Sequence, residues 1–334
     1  MLKQNFKYDH FSPKNMSGMY DIIIIGAGCT GLATGMYAGR LNMKTLILGA
    51  TSGNELPVGG IITLTDTVDN YPGFIHLTGE ELAKKLEEHT KDYKIPIKEE
   101  KVVDVSRKEK MNCFAVKTEK DAYNTKTVIF ATGAKWRELS MKGANEFKNK
   151  GVHYCALCDA ALYKDKAMAV IGGSDTAAKE ALVLAQHGKK VYIIYRGNKI
   201  RPEPVNAKLI EKNKKIEVIT NTNIVEIKGD KFVKSVALDK EHNGSKELRL
   251  DAVFGAIGHI PLSDLAVKLG VKVNDKKEII IDRNSRTNVK GIYAAGDVVD
   301  SAFKQAITGV AEGVVASYSA YLYVRENEFV SYSE

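Results

Sequence analysis

The chain has 334 residues, 44% of them hydrophobic and 27% charged, with a net charge of +8 and only four cysteines. That length accommodates two domains, each with its own core, and no apolar run approaches the roughly 18 residues of a membrane span. Four cysteines are too few for a secreted disulfide framework, so a cytoplasmic protein is expected, and lysines dispersed along the chain read as a solvated surface biased toward acidic protein partners rather than as a nucleic-acid patch.

Residues 1–19 are polar with scattered aromatics, lack the apolar centre of a signal peptide and are expected to form a loose arm, with Met16 and Met19 as alternative starts. Tyr20 to Ile25 then reads as a buried strand running into Gly26-Ala-Gly28-Cys-Thr-Gly31, followed by a helix from about Thr30 to Leu41 and a second strand from Lys44 to Leu48. This is the order of a dinucleotide fold. The first glycine permits the tight turn, the second lets the backbone approach a pyrophosphate, and the third lets helix and strand pack closely. The phosphate meets the free N–H groups at the helix start. Further on, Val128-Ile-Phe-Ala-Thr132-Gly133 is a strand ending in a small turn.

Cys155-Ala-Leu-Cys158-Asp159 comes next. Two cysteines at this spacing can close a small disulfide, and one thiolate can attack a partner disulfide while its neighbour resolves the mixed species. A zinc site is the rival reading, but it needs two more ligands; there is no second C-x-x-C, and His153 is too close to complete a usual pattern alone. Asp159 has two readings, an acid or base beside the cysteines or an N-cap of a helical run Ala160 to Tyr163. Cys29, inside the first glycine loop, reads as a small packing residue, and Cys113 as structural in a strand-like run to Lys117.

The first pattern recurs at an offset of 146 residues, Gly26 mapping to Gly172. Ala167 to Ile171 is the strand, Gly172-Gly-Ser174-Asp-Thr-Ala177 the loop, Asp175 to His187 the helix with Gly188 as its cap, and Val191 to Tyr195 the next strand. One glycine fingerprint is weak; two in register point to an internal duplication. Val253 to Gly258 repeats the later strand, and Gly291-Ile-Tyr-Ala-Ala-Gly296-Asp297 ends in a turn suited to a flavin's ribityl and phosphate parts. The first unit must be completed by this last segment, so the second unit is inserted into the first, with crossings near 133–139 and 258–262 that make a hinge. The expected fold class is α/β: two Rossmann-like three-layer dinucleotide-binding domains, the second inserted into the first.

In GAGCTG at 26–31, VDNYPGF at 68–74, ATG at 131–133, CALCD at 155–159, GGSDTA at 172–177, GHIP at 258–261 and AAGDVVDSAFKQAIT at 294–308, the chain resembles the low-molecular-weight thioredoxin reductases. The resemblance runs from residue 20 to about 325 and implies an FAD domain at 20–137 and 263–334, an NADPH-type domain carrying the disulfide at 138–262, a homodimer and a rotation of one domain on the other. It implies that Cys158 lies against the flavin in a charge-transfer contact, that Cys155 attacks the disulfide of thioredoxin or a similar small protein, and that Asp159 protonates the departing thiolate. For FAD it implies contacts from Gly26, Gly28, Thr30, Gly31, Gly59, Gly60, Asn70, Thr132, Gly133, Gly296, Asp297, Lys304, Gln305 and Ala306. For NADP it implies Gly172, Gly173, Ser174, Asp175, Thr176, Ala177, Arg196 and Arg201.

The chain departs from the family in places. The family's glutamine after the paired glycines is Ile61, and no acidic residue follows Leu48. Ser174 replaces the middle glycine of the second loop, Gly197 stands where an arginine of the adjacent pair is usual, and Leu262 replaces the asparagine after Gly-His-x-Pro, which leaves His259 as a turn residue. Trp136 is expected in hinge packing. NADPH is the expected donor because the loop and helix frame is intact, with Arg196 and Arg201 to grip a ribose phosphate. The alternatives are a donor that bypasses this pocket, such as an acidic reduced ferredoxin, or a redox-regulated flavoprotein without turnover.

Overall fold

The computed structural model describes residues 18–49, 56–65, 67–327 and 329. Most of the expected N-terminal arm, residues 1–17, lies outside them. In chain order the elements are β1 (Tyr20–Ile25), α1 (Cys29–Arg40), β2 (Thr45–Gly49), α2 (Gly79–Asp92), β3 (Ile97–Glu99), β4 (Val102–Lys108), β5 (Cys113–Thr118), β6 (Ala122–Phe130), β7 (Ala134–Trp136), β8 (Val152–His153), α3 (Ala156–Asp159), β9 (Ala167–Ile171), α4 (Asp175–His187), β10 (Lys190–Ile194), α5 (Pro204–Lys212), β11 (Ile216–Ile219), β12 (Ile224–Gly229), β13 (Val233–His242), β14 (Ser245–Arg249), β15 (Ala252–Gly255), β16 (His259–Pro261), α6 (Asp264–Lys268), β17 (Ile292–Ala294) and α7 (Ala306–Glu326). The expected strands and helices around both glycine loops fall within one residue of these bounds. Residues Ala160–Tyr163, expected as a helical run, form a 3-10 turn.

Two sheets share one parallel strand order, the first also carrying β5 and β4 as an antiparallel extension beside the N-terminal part of β6. In the first, β3-β2-β1-β6 continues into β17, which pairs in parallel with the C-terminal part of β6. In the second, the order is β11-β10-β9-β15-β8. β1 and β9 each lie between the strand that follows their helix and the later strand of the unit, so the order reverses beside each glycine loop. Ligands in open α/β sheets gather at such a reversal. Each sheet takes its last strand from outside its own run: β17 comes from beyond the second unit, and β8 from before it. The segment Cys155–Cys158, which follows β8, therefore occupies the topological place that Gly296–Val298 holds after β17.

The strands are hydrophobic on both faces because helices and loops cover both, as a parallel sheet requires. Ile22, Ile23 and Ile24 are fully buried in β1, as are Met168, Ala169 and Val170 in β9. Each buried isoleucine contributes about 1.5–3 kcal/mol. α1 lies against α7 through small residues: a Cβ added at Gly313 would sit 2.4 Å from Thr34 Oγ1, and Ser317 Oγ donates to Thr34 O at 2.8 Å. The two crossings pair as a short antiparallel ribbon, β7 with β16, His259 opposite Trp136 and Pro261 opposite Ala134. Gly133 (φ +66) and Gly258 (φ +102) flank it, each with open space where a side chain would stand.

Candidate active site

At the first glycine loop, the three glycines have different jobs. Gly26 has φ +117, and an added Cβ would lie 2.1 Å from Ala131 O; one at Gly31 would lie 1.9 Å from Gly26 O. Both are required for the chain to close on itself. Gly28 caps α1 in extended conformation with no side-chain cap bond, and a Cβ there meets only Gly59 O, at 3.6 Å. Gly59 (φ +108) and Gly60 (φ +71) run beside the loop, Gly59 N–H donating to Ala27 O at 2.8 Å. Thr30 Oγ1 lies where a Cβ on Gly296 or Gly309 would be, 2.5 Å away in each case, so α1, Gly296 and α7 meet closely. The N–H groups at the head of α1 thus face open space, a cradle that fits a diphosphate.

Around this cradle, Gly296 (φ +83) donates its N–H to Glu312 Oε2 at 2.8 Å, and Asp297 is exposed. Lys304 Nζ is held by the carbonyls of Asp297 and Val299 and by Glu278. Gln305 caps α7, which opens at Ala306, and its Oε1 accepts from Asn70 Nδ2 at 3.1 Å. Thr132 Oγ1 donates to Leu262 O at 2.7 Å, and Leu262 N–H to Gly133 O at 3.0 Å, so both residues tie the crossings together. His259, one strand residue from Gly258, is drawn below its ordinary proton affinity by loss of water, with Asp297 raising and Lys304 lowering it.

The second loop is built on the same frame with a different cover. Gly172 needs its positive φ, since a Cβ would meet Ala256 O at 2.3 Å; one on Gly173 would strike the Tyr195 ring at 2.6 Å. Arg201 N–H donates to Gly173 O at 2.7 Å, and Arg201 Nη2 reaches Tyr195 Oη at 3.3 Å. Ser174 caps α4 without a side-chain bond and, like Thr176 and Arg196, is exposed, while Ala177 is fully buried. Asp175 turns away from the loop mouth: its Oδ1 accepts from Glu203 N–H at 2.7 Å and Asn206 Nδ2 at 2.8 Å. Burial opposes its charge, but these bonds and Lys179 hold its carboxyl below the ordinary range. Ser174, Thr176 and the start of α4 are left without these bonds, and exposed Arg196 follows the end of β10.

Cys155 and Cys158 are joined in a disulfide across the first turn of α3, with Cα atoms 5.4 Å apart. Cys158 N–H donates to Cys155 Sγ at 3.2 Å. Cys155 is half-buried and Cys158 exposed, beside exposed Leu157 and Leu162. Asp159 heads the 160–163 turn without a side-chain cap bond; its Oδ2 lies 2.9 Å from His153 Nδ1 instead. His153, 5% exposed, bonds through Nε2 to Tyr163 Oη at 2.8 Å and stacks on Phe254. In sequence His153 reads only as an incomplete metal ligand; its place at the end of a buried strand beside a cysteine pair is the signal for its role. Among the described residues no group of three or more His, Cys, Asp or Glu could hold a metal ion. Cys29 and Cys113 are buried free thiols, and burial pushes the Cys29 thiol up to about 12, which leaves it inert as a nucleophile.

Nothing in the sequence around Glu180 on α4 marks it as special. Its Oε2 is buried without a hydrogen-bond partner, and desolvation pushes its carboxyl from 4.5 up to about 8. The fold therefore holds the neutral acid. That stability is whole below about pH 4.5 and drains away as pH rises through about 8. Glu180→Gln is expected to flatten this fall, so that thermal melts of wild type and variant diverge from acid to alkaline buffer. A constant gap between them would contradict the assignment.

Comparison with known proteins agrees with this geometry. The family model for pyridine nucleotide-disulphide oxidoreductases matches residues 20–313. A thioredoxin reductase of Peptoclostridium acidaminophilum is 37% identical over 320 residues, covering 93% of this chain and 99% of that one. Among solved structures, Lactococcus lactis thioredoxin reductase (FR conformation) is similar with a TM-score of 0.86 at 34% identity, covering 92% of this chain and 100% of that one. T. acidophilum thioredoxin reductase follows with a TM-score of 0.83 at 33% identity, covering 91% and 98%.

Proposed function

The chain belongs to the pyridine nucleotide-disulphide oxidoreductase family, and on that premise we propose that it is an FAD-dependent thioredoxin-disulfide reductase drawing electrons from NADPH. The observation that carries this reading is the Cys155–Cys158 disulfide, set with Asp159 between two dinucleotide frames of one strand order. Residues 20–137 with 263–334 are the FAD-binding domain and 138–262 the nucleotide-binding domain. Gly26, Gly28, Thr30 and Gly31 would hold FAD, flanked by Gly59, Gly60, Gly296 and Asp297, with Asn70, Thr132, Gly133, Lys304, Gln305 and Ala306 around the cradle. When bound, FAD supplies a two-electron carrier between a nicotinamide and a disulfide. Gly172, Gly173, Ser174, Asp175, Thr176 and Ala177 would hold NADPH, with Arg196 and Arg201 to grip its ribose phosphate. The protein is a cytoplasmic homodimer, and its partner is thioredoxin or a similar small disulfide protein; among the described residues no helix is long and apolar enough to cross a membrane.

The chain's own chemistry then follows. Reduced Cys155 attacks the partner disulfide as a thiolate, and the first partner sulfur leaves with a proton from Asp159; the Cys158 thiol then gives its proton to the Asp159 carboxylate and closes onto Cys155, releasing the second partner sulfur as a thiolate. Cys158 is exposed in this arrangement of the domains. Exchange with a flavin on the first domain requires the β7–β16 ribbon to act as a hinge, with the open glycines Gly133 and Gly258 absorbing the change.

The test is an anaerobic titration of the purified yellow protein with NADPH, NADH and reduced ferredoxin. NADPH is expected to bleach the flavin absorbance fastest, and the reduced protein then to cleave a thioredoxin disulfide. Bleaching by ferredoxin alone would replace the donor and leave the disulfide chemistry standing. A reduced protein that cleaves no such disulfide would remove the function.

A further inference from the structure

We propose that His153 is a positioning residue for Asp159, fixing its carboxyl beside the cysteine pair and relaying its proton to and from solvent through Tyr163. The inference rests on the reductase reading above and goes beyond it in naming how the acid is held and reloaded. His153 bridges the two side chains, Nδ1 to Asp159 Oδ2 at 2.9 Å and Nε2 to Tyr163 Oη at 2.8 Å. The ring cannot slide, because it stacks on Phe254 at 5.3 Å between centroids and meets the Tyr163 ring edge-on at 5.4 Å.

The topology makes this arrangement specific. Parallel pairing of β8 with β15 sets His153 against Phe254, and the chain then turns through the disulfide and returns Asp159 and Tyr163 to the same ring. An imidazole facing a carboxylate carries its hydrogen on Nδ1, so Nε2 accepts from the phenol. Tyr163 stays a neutral phenol: burial first, then Asp159 and Asp251, raises its proton affinity. Asp159 has solvent access on one side only in part, with 30% of its side chain exposed against 5% for His153. On α4, which packs against this segment, Asp175 is paired with Lys179, and Glu180 is kept neutral by burial. Asp159 and Tyr163 are thus the titratable groups that His153 itself touches.

The relay balances without change of oxidation state. As Asp159 takes the proton of an attacking thiol, an S–H bond breaks and a carboxyl O–H forms. When the partner thiolate leaves, that O–H breaks and a new S–H forms. To load the carboxylate, the Nδ1–H passes to Asp159 Oδ2 as the Tyr163 O–H passes to Nε2 and water restores the phenol; the ring is then the Nε2–H tautomer, and once a thiol has reloaded the carboxyl the reverse transfers send that proton out to water. The ring changes tautomer and then returns.

The test uses the flavin-loaded protein. His153→Asn keeps an N–H donor near the Nδ1 position but cannot titrate or reach Tyr163. After reduction with excess dithiol and its removal, iodoacetamide alkylation of the cysteine pair is followed against pH; buried Cys29 and Cys113 do not compete. Wild type is expected to show two ionisations in this profile and His153→Asn one, with turnover on thioredoxin lowered about 10- to 100-fold, less than the ~10²–10⁴ of a direct acid–base group. Superimposable profiles with turnover within about twofold would overturn the proposal. Should His153→Asn fail to fold, Tyr163→Phe tests the outer link alone. Turnover about 3- to 10-fold lower, with a diminished solvent isotope effect, supports the relay, and no change in either refutes it. Loss of wild-type activity on every thioredoxin disulfide, with the two-step alkylation profile intact, would instead count against the reductase reading.

Discussion

Cys155→Ser and Cys158→Ser are each expected to lower turnover at least ~10³-fold, because a serine hydroxyl neither forms the disulfide nor ionises near neutral pH. Both variants should keep their flavin, since the cradle is built from β1, α1, the Gly59–Gly60 segment and Gly296, and the cysteine side chains are no part of it. The two differ in what they trap. Exposure ranks Cys158 as the outward sulfur, whereas the Cys158 N–H bond to Cys155 Sγ favours the thiolate on Cys155. The hydrogen bond should prevail, because the thiolate and not the thiol is the nucleophile and a modest rotation can expose a half-buried sulfur. Cys158→Ser is therefore expected to accumulate a covalent adduct with thioredoxin, visible on a non-reducing gel and released by dithiol, while Cys155→Ser forms none. An adduct with Cys155→Ser alone would exchange the two roles, and full turnover in either variant would end the cysteine assignment.

Much of the architecture was legible because it is written in local patterns. A strand buried on both faces, a glycine turn and a helix give the same signature twice, and the offset from Gly26 to Gly172 fixed the second copy within a residue. The nesting followed from chain order alone, and the crossings at Gly133 and Gly258 do pair, as β7 with β16. What stayed hidden depends on side chains meeting across the fold. Thr132 reads as part of a flavin turn, yet its hydroxyl is bonded to Leu262 O. Asp175 reads as a loop residue facing a phosphate, yet it anchors Glu203 and Asn206. Glu180, in a run of alanine and lysine, has the look of a solvated helix face. His153 is adjacent to nothing suggestive in sequence except the cysteine motif, and only the β8–β15 register brings it between Asp159 and Tyr163.

Gly28→Ala is expected to yield a folded protein that has lost most of its flavin. The added methyl would lie 3.6 Å from Gly59 O, an ordinary contact, and the backbone there (φ −75, ψ −178) suits any residue. The poorer cap costs the apoprotein up to about 1 kcal/mol, but alanine's stiffer unfolded chain returns about 0.4–1 kcal/mol, so the apoprotein should melt within about 2 °C of wild-type apoprotein. The methyl instead intrudes on the space before the first N–H groups of α1, where a pyrophosphate must come close. Affinity for FAD, titrated into deflavinated protein by quenching of flavin fluorescence, should fall about 100-fold, or ~2.8 kcal/mol. Gly31→Ala is the contrast: its methyl would lie 1.9 Å from Gly26 O, so it should unfold or strongly destabilise the apoprotein itself. The pair separates a glycine kept for the ligand from one kept for the chain. If Gly28→Ala binds FAD as tightly as wild type, the diphosphate does not lie on this loop, and the function assigned to the first unit is wrong even though its fold is right.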